Sequence, residues 1–169
     1  YKRQHILLLF TFVAVFLYDA LYKSSLASNV RAVTAVSFLL ITAYVFAMQH
    51  LGGFGYRAVN IHLGALFGTN MAFNVWFRIW PAQQKIINAI KNGEAPDGDL
   101  LALAGLRSKH NTYMSVPLVW TMHNQHHVTA PTALGIPNEF SWVLPMVMVI
   151  LGWHIVWQLY KKSGTIKGF

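Results

Sequence analysis

The stretch VRAVTAVSFLLITAYVFAMQH, residues 30–50, decides the class of fold. It carries one fixed charge, Arg31, close to its start. As an α-helix of 1.5 Å rise per residue it is long enough to cross roughly 30 Å of hydrocarbon. Working outward, comparable blocks run from His5 to Tyr22, from Tyr56 to Trp80 and from Asn138 to Tyr160, and a weaker one from about Leu106 to His127. With 55% hydrophobic and 11% charged residues, 169 residues hold more apolar surface than one soluble core can hide. The expectation is an all-α, polytopic membrane helix bundle of about five transmembrane helices, forming a single membrane domain over 1–169. The lipid bilayer is its first partner. The first block lacks a clear small-residue cleavage site, so it reads as a spanning helix. The fourth is the weakest because Arg107, Lys109 and His110 start it and Pro117 interrupts it, which predicts a kinked helix packed inside the bundle.

The one substantial connection, residues 81–105, reads as a loop that opens with a short interfacial helix. Pro81 suits a first helical position, Ile86, Ile87 and Ile90 share a face, and Gly93 can end the helix. Glu94-Ala95-Pro96-Asp97-Gly98-Asp99 then reads as a polar turn. If five spans are counted, one side carries Lys2, Arg3 and Arg57. The other carries Lys23, Arg31, Arg78, Lys85, Lys91, Arg107, Lys109, Lys161, Lys162 and Lys167. Lys and Arg collect on cytoplasmic loops, so the 81–105 loop and the C-terminus are expected in the cytoplasm and the N-terminus outside. This asymmetry, with contact to anionic headgroups, accounts for the net charge of +8 without nucleic acid as a partner.

The chain has no cysteine, so disulfides, thiolate zinc sites, cysteine-held iron–sulfur clusters and covalent c-type haem attachment within it are excluded. Chemistry therefore falls to histidine. His123-Asn124-Gln125-His126-His127 crowds three imidazoles into about one turn at the end of an apolar segment. By depth, His62 in the third span faces His123 or His126 in the fourth, and His110 and His154 form a second pair on the inner side. Two facing imidazoles are what bis-histidine ligation of a b-type haem needs. The competing reading is a mononuclear copper or zinc site, in which His123 with His126 or His127 puts two rings on one helix face and a third ligand such as His62 or His50 completes it. A third is no cofactor, with hydrogen-bonded or interfacial rings; His5 and His50, at span ends, are read as interfacial only.

Among the other polar positions, Asn70, Asn74 and Arg78 form a stripe at i, i+4 and i+8. That stripe serves either helix–helix hydrogen bonding or a substrate or proton route. Asp19 is expected to pair with a Lys or Arg at its own end. Gly64 and Gly68 make a GxxxG pattern, read as close helix packing. Trp120 and Trp153 lie deep enough to flank a planar cofactor or to fill the core. Gly52-Gly53-Phe54-Gly55 is a tight turn that no strand precedes, so it is not a nucleotide-binding loop.

Several of these segments carry a resemblance. Gly68-Thr69-Asn70-Met71-Ala72-Phe73-Asn74-Val75-Trp76, Ile79-Trp80-Pro81-Ala82-Gln83-Gln84-Lys85 and Arg107-Ser108-Lys109-His110-Asn111-Thr112-Tyr113 resemble, in this order, the integral-membrane domain of the bacterial urate oxidase (urate hydroxylase) family. Tyr18-Asp19, Arg57 to Ala65 and Pro117 to His126 are also similar. The resemblance covers the later part of that domain. It implies a multi-span protein of the bacterial inner membrane, associated with oxidation of urate and often joined to a cytochrome c domain. His62, His110 and His126 fall on histidines of the family pattern, and Arg57, Asn74, Arg107 and Asn111 on its polar positions. His123 and His127 lie outside the pattern.

Three functions stay in view. The first is an electron-transfer membrane protein, or a subunit of a redox complex, holding haem b or another metal centre at His62, His123, His126, His110 or His154 and feeding a cytochrome c or a respiratory assembly. The second is a non-catalytic accessory subunit packed against other membrane subunits. The third is part of a urate-oxidising enzyme completed by a partner chain.

Overall fold

The computed structural model describes residues 1–166, and among these every regular element is helical. The expected Lys167 lies outside the described residues. Helix α1 spans Lys2–Leu21 and α2 Val30–His50, with Asn29 capping α2 by accepting from the Ala32 amide at 3.1 Å. Helix α3 covers Tyr56–Asn74, a π-helical turn follows over Val75–Ile79, and α4 runs Trp80–Lys91. Helix α5 is the longest, Gly98–Asn124; a short α6 (Ala130–Ala133) and α7 (Val143–Ser163) complete the chain. By length and composition three segments are apolar enough to cross a membrane, Lys2–Leu21, Val30–His50 and Asn138–Ser163.

The five long helices run alternately between two ends. Thr11 meets Tyr44 and Tyr22 meets Ser37, so α1 and α2 are antiparallel. Gln4 donates to the Gly52 carbonyl while Tyr18 reaches Asn74, so α1 and α3 run the same way. Asn60 with Asn124 and Asn111 with Met71 set α5 antiparallel to α3; Pro117 beside Gly152 and Thr112 beside Tyr160 set α7 antiparallel to α5. Helix α3 is central, packed on both α1 and α5. The core is Tyr44, Val45 and Met48 of α2, Val59, Leu63 and Phe67 of α3, and Met114, Met146 and Val149 of α5 and α7. Gly53, at φ 67°, makes the turn from α2 into α3.

Residues 81–105 depart from the expected loop. Helix α4 is present and ends at Gly93 (φ 74°), but the chain re-enters helix at Gly98, eight residues before the expected start near Leu106. Asp97 accepts from the Asp99 amide at 2.8 Å and caps α5, so the polar run stays non-helical over 94–97 and ends in the first turn of a helix. Arg107 does not mark a helix boundary because Asp19 neutralises it inside the bundle. Helix α5 also continues unbroken through Pro117, whose ring packs where Gly152 of α7 has no side chain.

Candidate functional site

At the end of the bundle where α1 and α3 finish, the Asp19 carboxylate collects three cations. Arg78, from the π-helical turn, donates through Nε at 2.9 Å; Arg107 of α5 lies at 3.0 Å and Lys23 at 2.8 Å. Arg107 is 2% exposed, so its charge depends on that carboxylate and on the Tyr18 ring, 5.2 Å from the guanidinium carbon. Its Nε and Nη1 are buried without a hydrogen-bond partner, as are Oδ1 of Asn70 and Asn74 and Nε1 of Trp153. A buried polar atom left unpaired costs about 1–3 kcal/mol, and His62 Nδ1 and Trp120 Nε1, elsewhere in the bundle, are in the same state.

Next to this cluster lies a hydrogen-bonded chain of side chains from three helices. The Tyr18 hydroxyl is 2.8 Å from both His110 Nδ1 and Asn74 Nδ2. Asn74 Nδ2 also donates to Asn111 Oδ1 at 2.9 Å, and Asn111 Nδ2 to the Met71 carbonyl at 3.2 Å. The Tyr22 ring packs against His110 at a tilt of 57°, centroids 4.2 Å apart. His110, Tyr18, Tyr22 and Asn70 line a crevice of about 680 Å³ between α1, α2, α3, α5 and α7, to which Trp153, His154 and the exposed Lys109 also contribute. A half-open, largely apolar cavity of this size with a few convergent polar groups is the form small-molecule sites take.

The expected histidine pairs fare differently. His110 and His154 both belong to the lining of the crevice. His62 is not brought against His123 or His126. Asn60 and Gly64 face α5, touching Asn124 and Thr121, and His62 lies two residues from each, roughly 200° round the helix. Antiparallel packing equalises depth but leaves direction around the axis to the interface residues, so His62 turns away and packs edge-on to Phe54. On α5, Thr121 and Asn124 take the interface, leaving His123 exposed and His126 in the turn beyond the helix. His5 bonds the Tyr1 carbonyl and His50 stacks on Phe46, both local contacts.

No group of three or more His, Asp or Glu among the described residues is gathered so as to hold a metal ion. The copper or zinc site of His123, His126 and His127 is therefore not assembled. His123 and His127 do meet, Nε2 to Nε2 at 3.1 Å, but on the exposed face and without His126 as a third donor. Of the histidines expected for a b-type haem, His62 packs against Phe54 and His123 is exposed. The inner pair offers two imidazoles in one crevice, each with one nitrogen engaged, Nδ1 of His110 by Tyr18 and Nε2 of His154 by Gln158.

Sequence reasoning singled out Asp19, Asn74, Arg107, His110 and Asn111 separately. It missed Tyr18 as the residue that joins them and Tyr22 as the ring packed against His110. Their i, i+4 spacing around Asp19 was the available signal. No curated protein and no solved structure matches this chain. The sequence profile of a family described as urate oxidase N-terminal matches residues 3–167, and the chain belongs to that family.

Proposed function

We propose that this chain is the membrane-embedded helical part of a urate-oxidising assembly of the bacterial inner membrane, and that the His110 crevice is where the substrate binds. One observation carries the reading: a ligand-sized crevice backed by a buried, multi-helix polar chain that ends on His110, in a member of the urate oxidase N-terminal family. The walls suit a planar, acceptor-rich anion. Tyr22, Trp153 and Trp157 offer flat apolar faces, His110 a polar contact, and the exposed Lys109 a positive charge. The electrons leave to an acceptor outside this chain, for which a cytochrome c partner is the natural candidate, and other membrane subunits cover the remaining helix faces.

The test is urate turnover by the whole assembly purified in mild detergent. His110→Ala is expected to lower urate-dependent electron transfer about 100-fold or more, the scale on which a positioned polar or acid–base group acts. His5→Ala, at the opposite end, should leave it unchanged. Full activity in His110→Ala would remove the crevice from the reaction and favour the accessory-subunit reading.

In this reading five helices cross the bilayer, with the C-terminus and the Asp19 end cytoplasmic, following the charge asymmetry. The chain has no cysteine, so single cysteines introduced at Glu94 and Thr132 report topology directly. A membrane-impermeant thiol reagent added to intact cells should label Thr132→Cys and spare Glu94→Cys. Labelling of both from outside would refute the five-span arrangement.

A further inference from the structure

We infer that His110 is a neutral imidazole locked with its proton on Nε2, a fixed hydrogen-bond donor to the crevice, and that Tyr18, Asn74 and Asn111 are the positioning residues that lock it. The order of donors and acceptors is fixed from a group that has no choice. The Met71 carbonyl can only accept, so the Asn111 atom 3.2 Å away is Nδ2, which turns Asn111 Oδ1 toward Asn74. That oxygen can only accept as well, so the Asn74 atom at 2.9 Å is Nδ2. The second hydrogen of the same nitrogen goes to the Tyr18 hydroxyl oxygen at 2.8 Å. The hydroxyl has one proton of its own, and the acceptor in reach is His110 Nδ1, at 2.8 Å.

A ring nitrogen that accepts carries no proton, so the neutral ring carries it on Nε2. With the opposite tautomer, Asn74 and His110 would both donate to Tyr18, and among the described residues the hydroxyl proton would have no acceptor. Burial keeps water from relaxing this order, because Asn74 is fully buried and Tyr18 and Asn111 are partly so. The Tyr22 ring packs against the imidazole as well, tilted by 57°.

Two consequences follow. An Nε2–H offers no lone pair, so a metal could take His110 Nε2 only if the ring proton moved to Nδ1 and the Tyr18 hydrogen bond reversed, since ligating histidines donate their remaining N–H to a neighbour. The ligand atom that meets His110 is therefore an acceptor, a carbonyl or anionic oxygen or an unprotonated ring nitrogen. Combined with the proposed function, on which this step alone rests, it is an acceptor atom of urate.

Nitrogen NMR of the protein labelled with ¹⁵N-histidine, with His110 assigned by the signals lost in His110→Ala, reads the tautomer directly. Wild-type protein at neutral pH should show one neutral ring, protonated at Nε2 and bare at Nδ1. Tyr18→Phe should lose that single state, giving mixed tautomers or an imidazolium, whereas Tyr22→Phe should keep it. A wild-type ring protonated at Nδ1, or at both nitrogens, overturns the inference whatever urate does. An unchanged tautomer in Tyr18→Phe overturns the positioning role. Added urate should shift the Nε2 signal. If it does not, while the tautomer is as stated, the substrate reading falls and the lock stands.

Discussion

Asp19→Asn should destabilise the protein by about 3–5 kcal/mol, the range for removing one partner of a buried ion pair. The carboxylate is the common counter-ion of Lys23, Arg78 and Arg107, and the three are not equivalent. Lys23 is 58% exposed at its side chain and can return to solvent, so its share is small. Arg107 cannot, being 2% exposed and wedged against Tyr18 and Tyr22 with two nitrogens already unpaired. Neutralising Asp19 leaves that guanidinium without a counter-ion, and it is the uncompensated charge that causes the loss. The thermal unfolding midpoint in detergent, followed by helicity, should fall steeply in Asp19→Asn and change little in Lys23→Ala. Equal, small shifts in the two variants would mean that Arg107 is neutralised by something other than Asp19.

The same cluster shows what a sequence can and cannot reveal. Helix α2 was legible to the residue, Val30–His50, because an apolar run between Asn29 and a glycine turn has one reading. Helices α1 and α7 were legible for the same reason, within a few residues. The start of α5 was not. Arg107 and Lys109 look like the polar edge of a span, and what makes Arg107 an interior residue is a carboxylate 88 positions away. The histidines fail in another manner. Asn60 with Asn124 and Gly64 with Thr121 set His62 about level with His123 along the bundle, but which side of a helix meets a neighbour is a property of the packed pair. The chain from Asn111 to His110 was likewise hidden, since its links join residues 37, 56 and 92 positions apart. Each member was visible as a polar residue in an apolar run, while their convergence was not.

The GxxxG pattern separates in the same way, and Gly64→Leu should open the α3–α5 contact. A Cβ at Gly64 would stand 2.6 Å from Thr121 Oγ1, with Leu118 Cδ1 at 3.6 Å behind it. Thr121 is 1% exposed and its hydroxyl is tied to the Leu118 carbonyl at 2.7 Å, so it cannot swing aside without losing that bond. Overpacking of this kind costs about 1–3 kcal/mol for small increments, and a leucine adds four carbons where one already collides. Gly68 differs because a Cβ there meets nothing within 4 Å. Gly68→Ala should therefore be neutral, or stabilising by up to about 1 kcal/mol from helix propensity. The decisive comparison is Gly64→Ala alone and with Thr121→Ala. If the two groups collide as the register requires, the pair should be more stable than the sum of the single variants by about 1 kcal/mol or more in a double-mutant cycle. Strict additivity would place Gly64 away from Thr121 and undo the α3–α5 register, and with it the alignment of Asn74 and Asn111 that holds Tyr18 on His110.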